Sequence, residues 1–364
     1  MIREIRFYCP KCAFMDTTGK YYWRCPRCGS PLEINYKAIW GPRGIGLVRY
    51  STSLPLTPPK SLGEGSTPLI EIKYCGVRVK FKLEYLNPTG SFKDRGTSLA
   101  ISLAFLLGYR RVVEDTSGNT GISVAAYSRL YDLKTTIVMP AYAPKGKKIL
   151  IKALGANIIE TPTRDDAARK VLELIDDITY YVAHTYNPLY IEGAKTVIYE
   201  AWEQGFNGNT IIVPVGSGGL LLGIYKGLRD LMEWGLIRKI PRIIAVEGAS
   251  TVRLYTRINA PHDLIKGESK LADGIMVSNP PRLTEILDAL KDTKGDVIVV
   301  NDADIVQALK ELLDYGLIVE PTSATAFAAL KKLIKQEKVQ EGDEVLIPLT
   351  GSGLKMIDLF EKIL

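Results

Sequence analysis

Four cysteines are the first candidates for chemistry. Cys9-Pro-Lys-Cys12 and Cys25-Pro-Arg-Cys28 are two C-x-x-C pairs separated by twelve residues. Two such knuckles facing each other would put four thiolates on a tetrahedron, the set that Zn²⁺ accepts in a structural site. All four positions are Cys, so none stays open for water, and the expected zinc is structural and not catalytic. Paired disulfides or unliganded thiols are the other readings, and a cytoplasmic chain disfavours disulfides. Cys75 stands alone and is expected to be a small buried apolar residue.

Four strand-to-helix turns carry the other unusual residues. In Asn87-Pro-Thr-Gly-Ser-Phe-Lys93-Asp-Arg-Gly96 a lysine stands at a helix start. The positive end of the helix dipole disfavours its charge, which favours a neutral, nucleophilic amine able to form a Schiff base with an aldehyde cofactor. Glu114-Asp-Thr116-Ser117-Gly118-Asn119-Thr120-Gly121 places hydroxyls and backbone N–H groups at a second helix start, an anion cradle suited to a carboxylate. Val215-Gly216-Ser217-Gly218-Gly219-Leu220 follows a buried strand, and its glycines let N–H groups close on a phosphate. No acid suited to a ribose lies about 20 residues on, so a phosphate smaller than a dinucleotide is expected. Leu349-Thr350-Gly351-Ser352-Gly353 offers hydroxyls at the end of a late strand.

The elements that must position these turns alternate. Strands are expected at Val77–Leu83, Arg111–Glu114, Thr135–Pro140, Asn157–Glu160, Tyr180–Ala183, Thr210–Val215, Arg242–Glu247, Asp296–Val300 and Val345–Leu349. Helices are expected at Phe92–Gly108, Ile122–Leu130, Lys147–Gly155, Asp165–Asp176 and Leu220–Met232, with another opened by Asn301. This alternation predicts an α/β fold with parallel-type sheets covered by helices. In such sheets ligands gather at the carboxyl ends of strands, where the four turns lie. Residues 1–36 read as a zinc ribbon, and 37–68 as a connector rich in Gly, Pro and Ser.

The 364 residues suit two or three domains. Hydrophobic residues at 46% and charged residues at 24% are an ordinary globular composition. No run of 18 apolar residues predicts a membrane span, and the N-terminus lacks the apolar core of a signal peptide, so a cytoplasmic protein is expected. The net charge is +7, but the basic residues are dispersed, which argues against a nucleic-acid partner. Two histidines disfavour a multi-histidine metal site. Few Gln among many Ile, Tyr and Lys hint at a thermophilic source.

Together, and in this order, the motifs resemble the fold-type II family of pyridoxal-phosphate (PLP) enzymes, which includes threonine synthase, threonine dehydratase and cysteine synthase. The resemblance runs from about residue 62 to the end. Residues 87–96, Gly63-Glu-Gly-Ser-Thr-Pro-Leu69, Val319-Glu-Pro-Thr-Ser-Ala-Thr-Ala326 and Leu349-Thr-Gly351 look most like the threonine synthase branch, in which zinc-ribbon-like N-termini also occur. The resemblance implies that Lys93 carries PLP and is catalytic, that Asn119 partners its ring hydroxyl, and that Gly216, Ser217, Gly218, Gly219 and Leu220 hold its phosphate. It makes Thr350 the partner of the pyridine nitrogen. A neutral hydroxyl there does not force a proton onto the ring, which favours elimination and replacement over transamination. Thr116, Ser117, Gly118, Thr120, Thr185 and Tyr190 are implied to meet an amino-acid substrate. The implied domains are a cofactor domain of residues 37–93 and 207–364 and a small mobile domain of 94–206, in a homodimer.

Three departures bear on the substrate. Ser352 and Met356 replace a His and an Asp of the T-G-H-G-L-K-D pattern, and Gly121 follows Thr120 as in cysteine synthases. Asn187-Pro-Leu-Tyr190-Ile-Glu-Gly-Ala-Lys-Thr196 resembles N-P-Y-R-I-E-G-Q-K-T, with Tyr190 where an arginine is implied to help hold the phosphate of O-phosphohomoserine. Lys147, Lys148 or Arg95 would have to replace that cation. The expected activity is conversion of O-phosphohomoserine and water to threonine and phosphate. The alternatives are a threonine or serine dehydratase, a β-replacing cysteine or cysteate synthase, and, from another class, a zinc-ribbon interaction protein with a vestigial site.

Overall fold

The computed structural model describes residues 5–16, 19–116, 118–258 and 267–363. In chain order the first elements are β1 (Arg6–Tyr8), β2 (Glu33–Asn35), β3 (Leu69–Tyr74), β4 (Val77–Lys82), α1 (Lys93–Leu106), β5 (Arg111–Asp115), α2 (Asn119–Leu130) and β6 (Lys134–Pro140). Next come α3 (Lys145–Ala153), β7 (Asn157–Thr161), α4 (Arg164–Leu172), β8 (Thr179–Tyr181), α5 (Pro188–Glu203), β9 (Thr210–Pro214), α6 (Gly219–Glu233) and β10 (Arg242–Gly248). The chain ends with α7 (Tyr255–Ile258), α8 (Leu283–Asp292), β11 (Asp296–Val300), α9 (Asp302–Asp314), α10 (Pro321–Lys335), β12 (Glu344–Pro348) and α11 (Ile357–Ile363). Among the described residues no helix is long and apolar enough to cross a membrane.

These elements form two compact units, one of residues 1–66 and 87–196, the other of 67–86 and 197–364. In the first, the order β7-β6-β5-β8 is parallel throughout. Its central strands read as apolar runs, with Ile137, Val138 and Met139 wholly buried, the mark of a sheet covered on both faces. In the second, the order is β11-β10-β9-β12-β4-β3. All its pairs are parallel except β3 on β4. That hairpin turns on Cys75 (φ 48°) and Gly76 (φ 79°), the two positive φ values of a two-residue turn whose twist matches its strands. Cys75 is therefore exposed, not buried as expected.

The packing units and the expected domains are cut at different residues, for two local reasons. The Gly/Pro-rich connector is bound into the first unit by Glu64, whose buried carboxylate accepts the hydroxyls of Ser61, Ser98 and Tyr127. The lysine-bearing turn is bound there by Asp94, which accepts the Thr89 N–H and hydroxyl and the Ser123 hydroxyl. The last cut falls within α5. The α1/α5 crossing explains two glycines of the motifs. A Cβ on Gly193 would collide with the Arg95 carbonyl, and one on Gly96 would sit 2.6 Å from the Tyr190 Cα. Backbone cannot yield as a side-chain tip can.

Candidate active site and candidate metal centre

Lys93 is the first residue of α1, where the sequence expects it. No side chain caps this helix start; the Asp94 and Arg95 N–H groups turn back to the Ser91 and Phe92 carbonyls, and the positive end of the helix dipole faces the lysine's surroundings. Its ammonium lies 5.3 Å from the Phe92 ring centre.

The cradle after β5 closes onto α2, which begins at Asn119, also with no side-chain cap. The Thr116 hydroxyl accepts the Gly118 N–H at 3.1 Å and fixes the turn. Gly118 and Thr120 are buried and Asn119 is half-buried. Ser117, also expected here, lies outside the described residues. Lys147 reaches this helix start from α3. A Cβ on Gly118 would collide with the Lys147 stem and lie 3.2 Å from its Nζ, and the side chain is almost wholly buried. Lys148 binds the Ala141 carbonyl and Glu160, and the buried Arg95 binds the Thr196 hydroxyl at 2.8 Å.

Tyr190, on α5, is buried, and its hydroxyl pairs with that of Thr97 at 2.9 Å. Burial, then the nearby Glu114 carboxyl, holds its phenol well above the ordinary range. Thr185 lies half-buried in the Val182–Asn187 turn before α5. Beside it, His184 Nδ1 shares a short hydrogen bond with Glu114 Oε1. Burial and repulsion from Asp115 push the Glu114 carboxyl up. Burial, then the Lys93 ammonium, pushes the His184 imidazole down. This pair escaped the sequence reading because its partners stand 70 residues apart.

In the second unit the glycine loop links β9 to α6. A Cβ on Gly216 would sit 2.7 Å from the Gly274 carbonyl oxygen, and one on Gly218 (φ 88°) would collide with Ile286. Nothing lies within 4 Å of a Cβ on Gly219, and Gly218 gives α6 no side-chain cap. Ser217 is half-buried and Leu220 buried. A helix start without a side-chain cap, preceded by glycines and with open space beside Gly219, offers backbone N–H donors of the kind a phosphate needs, so the loop fits PLP's phosphate. Thr350, just after β12, is buried and shares a 3.0 Å hydrogen bond with Ser323 on α10. The Ser323 hydroxyl also accepts the Gly351 N–H at 2.8 Å, and Gly351 leaves room for the Glu320 carboxylate. Ser323 lies in the Val319–Ala326 motif, which was the signal for it.

The four N-terminal cysteines converge. Cys9 and Cys28 Sγ, and Cys12 and Cys25 Sγ, are each 3.5 Å apart, and all four lie within 4.8 Å of one another. A Zn–S bond of about 2.3 Å requires sulfurs about 3.8 Å apart on a tetrahedron, whereas a disulfide needs about 2.05 Å. The donor set therefore fits a metal and is too wide for disulfides. The knuckles share one geometry: Cys9 N–H to Phe14 O and Ala13 N–H to Cys9 O in the first, Cys25 N–H to Ser30 O and Gly29 N–H to Cys25 O in the second. Each ends on a positive φ, at Ala13 and Gly29.

An α/β scaffold with a lysine at one helix start, an anion cradle at another and a glycine loop at a third defines a class of cofactor enzyme. The chain belongs to the pyridoxal-phosphate dependent enzyme family, whose model matches residues 60–351. It is a PLP-dependent enzyme whose relatives include carbon–oxygen lyases. It is 33% identical to the threonine synthase of Methanocaldococcus jannaschii, over 95% of this chain and 92% of that one. It is 32% identical to the threonine synthase of a Bacillus strain, over 86% of this chain and 90% of that one. Among solved structures it is similar to the O-acetylserine-dependent cystathionine β-synthase of Helicobacter pylori. That match has a TM-score of 0.68 and 27% identity, and covers 81% of this chain and 95% of that one. Maize serine racemase matches with a TM-score of 0.67 and 26% identity, over 82% and 91%.

Proposed function

We propose that the chain is a threonine synthase that converts O-phosphohomoserine and water to threonine and phosphate. The observation that carries this reading is Lys147 at the start of α2. Tyr190 leaves the arginine's place without a cation, and Lys147 supplies one at a helix N-terminus that already favours anions. O-phosphohomoserine brings a carboxylate and a phosphate, whereas serine and threonine bring a carboxylate alone.

In this reading Lys93 would hold PLP through its amine, Asn119 would partner the ring hydroxyl, and the Gly216–Leu220 loop would take the cofactor phosphate. PLP, when bound, supplies the electron-withdrawing ring that makes the Cα proton removable. With the cofactor in place, the Lys93 amine would be the group that takes the Cα proton and then a Cβ proton and returns protons at Cγ and Cα, so that loss of phosphate from Cγ and addition of water at Cβ balance to threonine. Thr116, Ser117, Gly118 and Thr120 are proposed to receive the substrate carboxylate, and Thr185 to meet the substrate as well. Thr350, paired with Ser323, would offer the ring nitrogen a neutral hydroxyl. A soluble cytoplasmic homodimer from a thermophilic source is the setting proposed with it.

One observation favours a β-replacing or dehydratase activity instead: the Tyr190 hydroxyl is spent on Thr97. The test is phosphate release and threonine formation from O-phosphohomoserine, set beside deamination of threonine and serine. Turnover of the phosphorylated substrate at least tenfold above the others supports the proposal, and deamination alone overturns it.

The cysteine quartet is proposed to hold one structural zinc. Cys25→Ser is expected to lower bound zinc below one per chain and to loosen residues 5–36 to proteolysis. PLP content should stay unchanged, because four thiolates leave no metal position for chemistry. Metal analysis of protein purified without chelators, read beside cofactor absorbance, checks both halves.

A further inference from the structure

The stretch between the two cysteine knuckles does more than join them. Tyr21 stacks on Tyr180 at 4.1 Å between ring centres. Its hydroxyl donates to the Tyr181 carbonyl at 2.8 Å and accepts from Asn187 Nδ2 at 3.3 Å. Trp23 meets the rings of Tyr181 and Tyr186 edge-on at 5.2 and 5.3 Å. The ribbon thus grips both ends of the Val182–Asn187 turn. That turn is strained: Ala183 holds a φ of 47°, a left-handed conformation that a residue with a Cβ keeps only when its surroundings enforce it. Inside the turn, the Tyr186 and Asn187 N–H groups converge on the Ala183 carbonyl, and Asn187 Nδ2 reaches the Val182 carbonyl at 3.0 Å.

The turn leads to the candidate active site. It carries Thr185, and its His184 is bonded to Glu114, which precedes the anion cradle by two residues. Among the described residues Glu114 Oε2 is buried with no hydrogen-bond partner, and the His184 side chain holds the other oxygen of this carboxyl.

We propose that Tyr21 is a positioning residue for the reaction: from the ribbon it clamps the Val182–Asn187 turn, so that Thr185 and the His184–Glu114 pair are held in register with the cradle at α2. The proposal rests on the threonine synthase reading for the identity of the substrate, but not for the clamp itself. It gives the ribbon a task in substrate binding while leaving PLP attachment to other residues.

The test uses Tyr21→Phe in the full-length holoenzyme, which keeps the stack and removes only the hydroxyl. KM for O-phosphohomoserine is expected to rise about fivefold, the worth of one neutral hydrogen bond, with kcat within about twofold and PLP content unchanged. Adding Ala183→Gly, which relaxes the strained residue, should return KM toward wild type. The second readout needs no turnover. The chain has two histidines, His184 and His262, so in a His262→Gln background the remaining imidazole resonance is His184, and Tyr21→Phe is expected to shift it. An unmoved His184 resonance, or an unchanged KM, overturns the clamp. If O-phosphohomoserine is inert in both proteins, the threonine synthase reading falls. The clamp is then read from L-serine binding, followed by cofactor absorbance, with the same fivefold weakening expected and no weakening overturning it.

Discussion

Lys93→Ala should lose turnover by at least about 10³-fold, the upper range for removing a positioned acid–base group, because one amine both anchors PLP and moves the substrate's protons. The fold should survive. Lys93 is a half-buried first residue of α1, and Ala is the best helix former at such a place. The turn before it is held by Asp94, which keeps its bonds to Thr89 and Ser123. Borohydride reduction followed by peptide mapping gives the sharper readout. Wild-type protein should yield one pyridoxyl adduct, on the peptide that contains Lys93, and the variant none. An adduct on Lys147 would move the cofactor to the cradle and overturn the assignment of both lysines.

What the sequence made legible was chemistry whose parts are neighbours along the chain. The cysteine quartet follows from two local spacings, and Lys93, Asn119 and the glycine loop each sit at a helix start that Gly, Ser and Thr announce. Parts brought together by folding were not legible as pairs: Lys147 with Gly118, Ser323 with Thr350, Glu114 with His184. The same limit governs the elements. Helix α5 was missed because it is apolar or buried on every side, Val197, Ile198 and Tyr199 included, so it shows no polar face to give a helical period. Its Gly193, which reads as a breaker, is there for the contact with α1. Strand β3 carries a period-two pattern, Leu-Ile-Glu-Ile-Lys-Tyr, but its turn is Cys-Gly, not the Asn-Gly or Asp-Gly that flags a hairpin. Helix α4 stops at Leu172, short of the expected Asp176. There Asp176 turns its carboxylate to the Ile178 N–H and the Thr179 hydroxyl and starts β8 instead. Helix α2 begins at Asn119, three residues before the first apolar residue that a periodicity reading needs.

The substrate question comes down to one ammonium. Lys147→Met keeps an unbranched stem across Gly118 and removes only the charge. A charge-assisted hydrogen bond is worth about 1.5–3 kcal/mol, so KM for O-phosphohomoserine should rise roughly 10- to 150-fold. PLP content should be unchanged, since the cofactor's phosphate is assigned to the Gly216–Leu220 loop. Wild-type KM should climb with added salt or inorganic phosphate, and the variant's should not, because a single ammonium attracts its partner through a screenable field and not through a guanidinium fork. Restoring the arginine by Tyr190→Arg is the less direct test. Tyr190 is buried and paired with Thr97, so an arginine there would carry a charge into the interior and destabilise the protein before it could serve the substrate. Lys147→Met, read on phosphorylated and unphosphorylated substrates, therefore separates the explanations. A steep KM effect in Lys147→Met confined to the phosphorylated substrate places the substrate phosphate at the start of α2. An equal loss for serine and threonine assigns Lys147 to the carboxylate that all these substrates share, and removes the observation on which the threonine synthase reading stands.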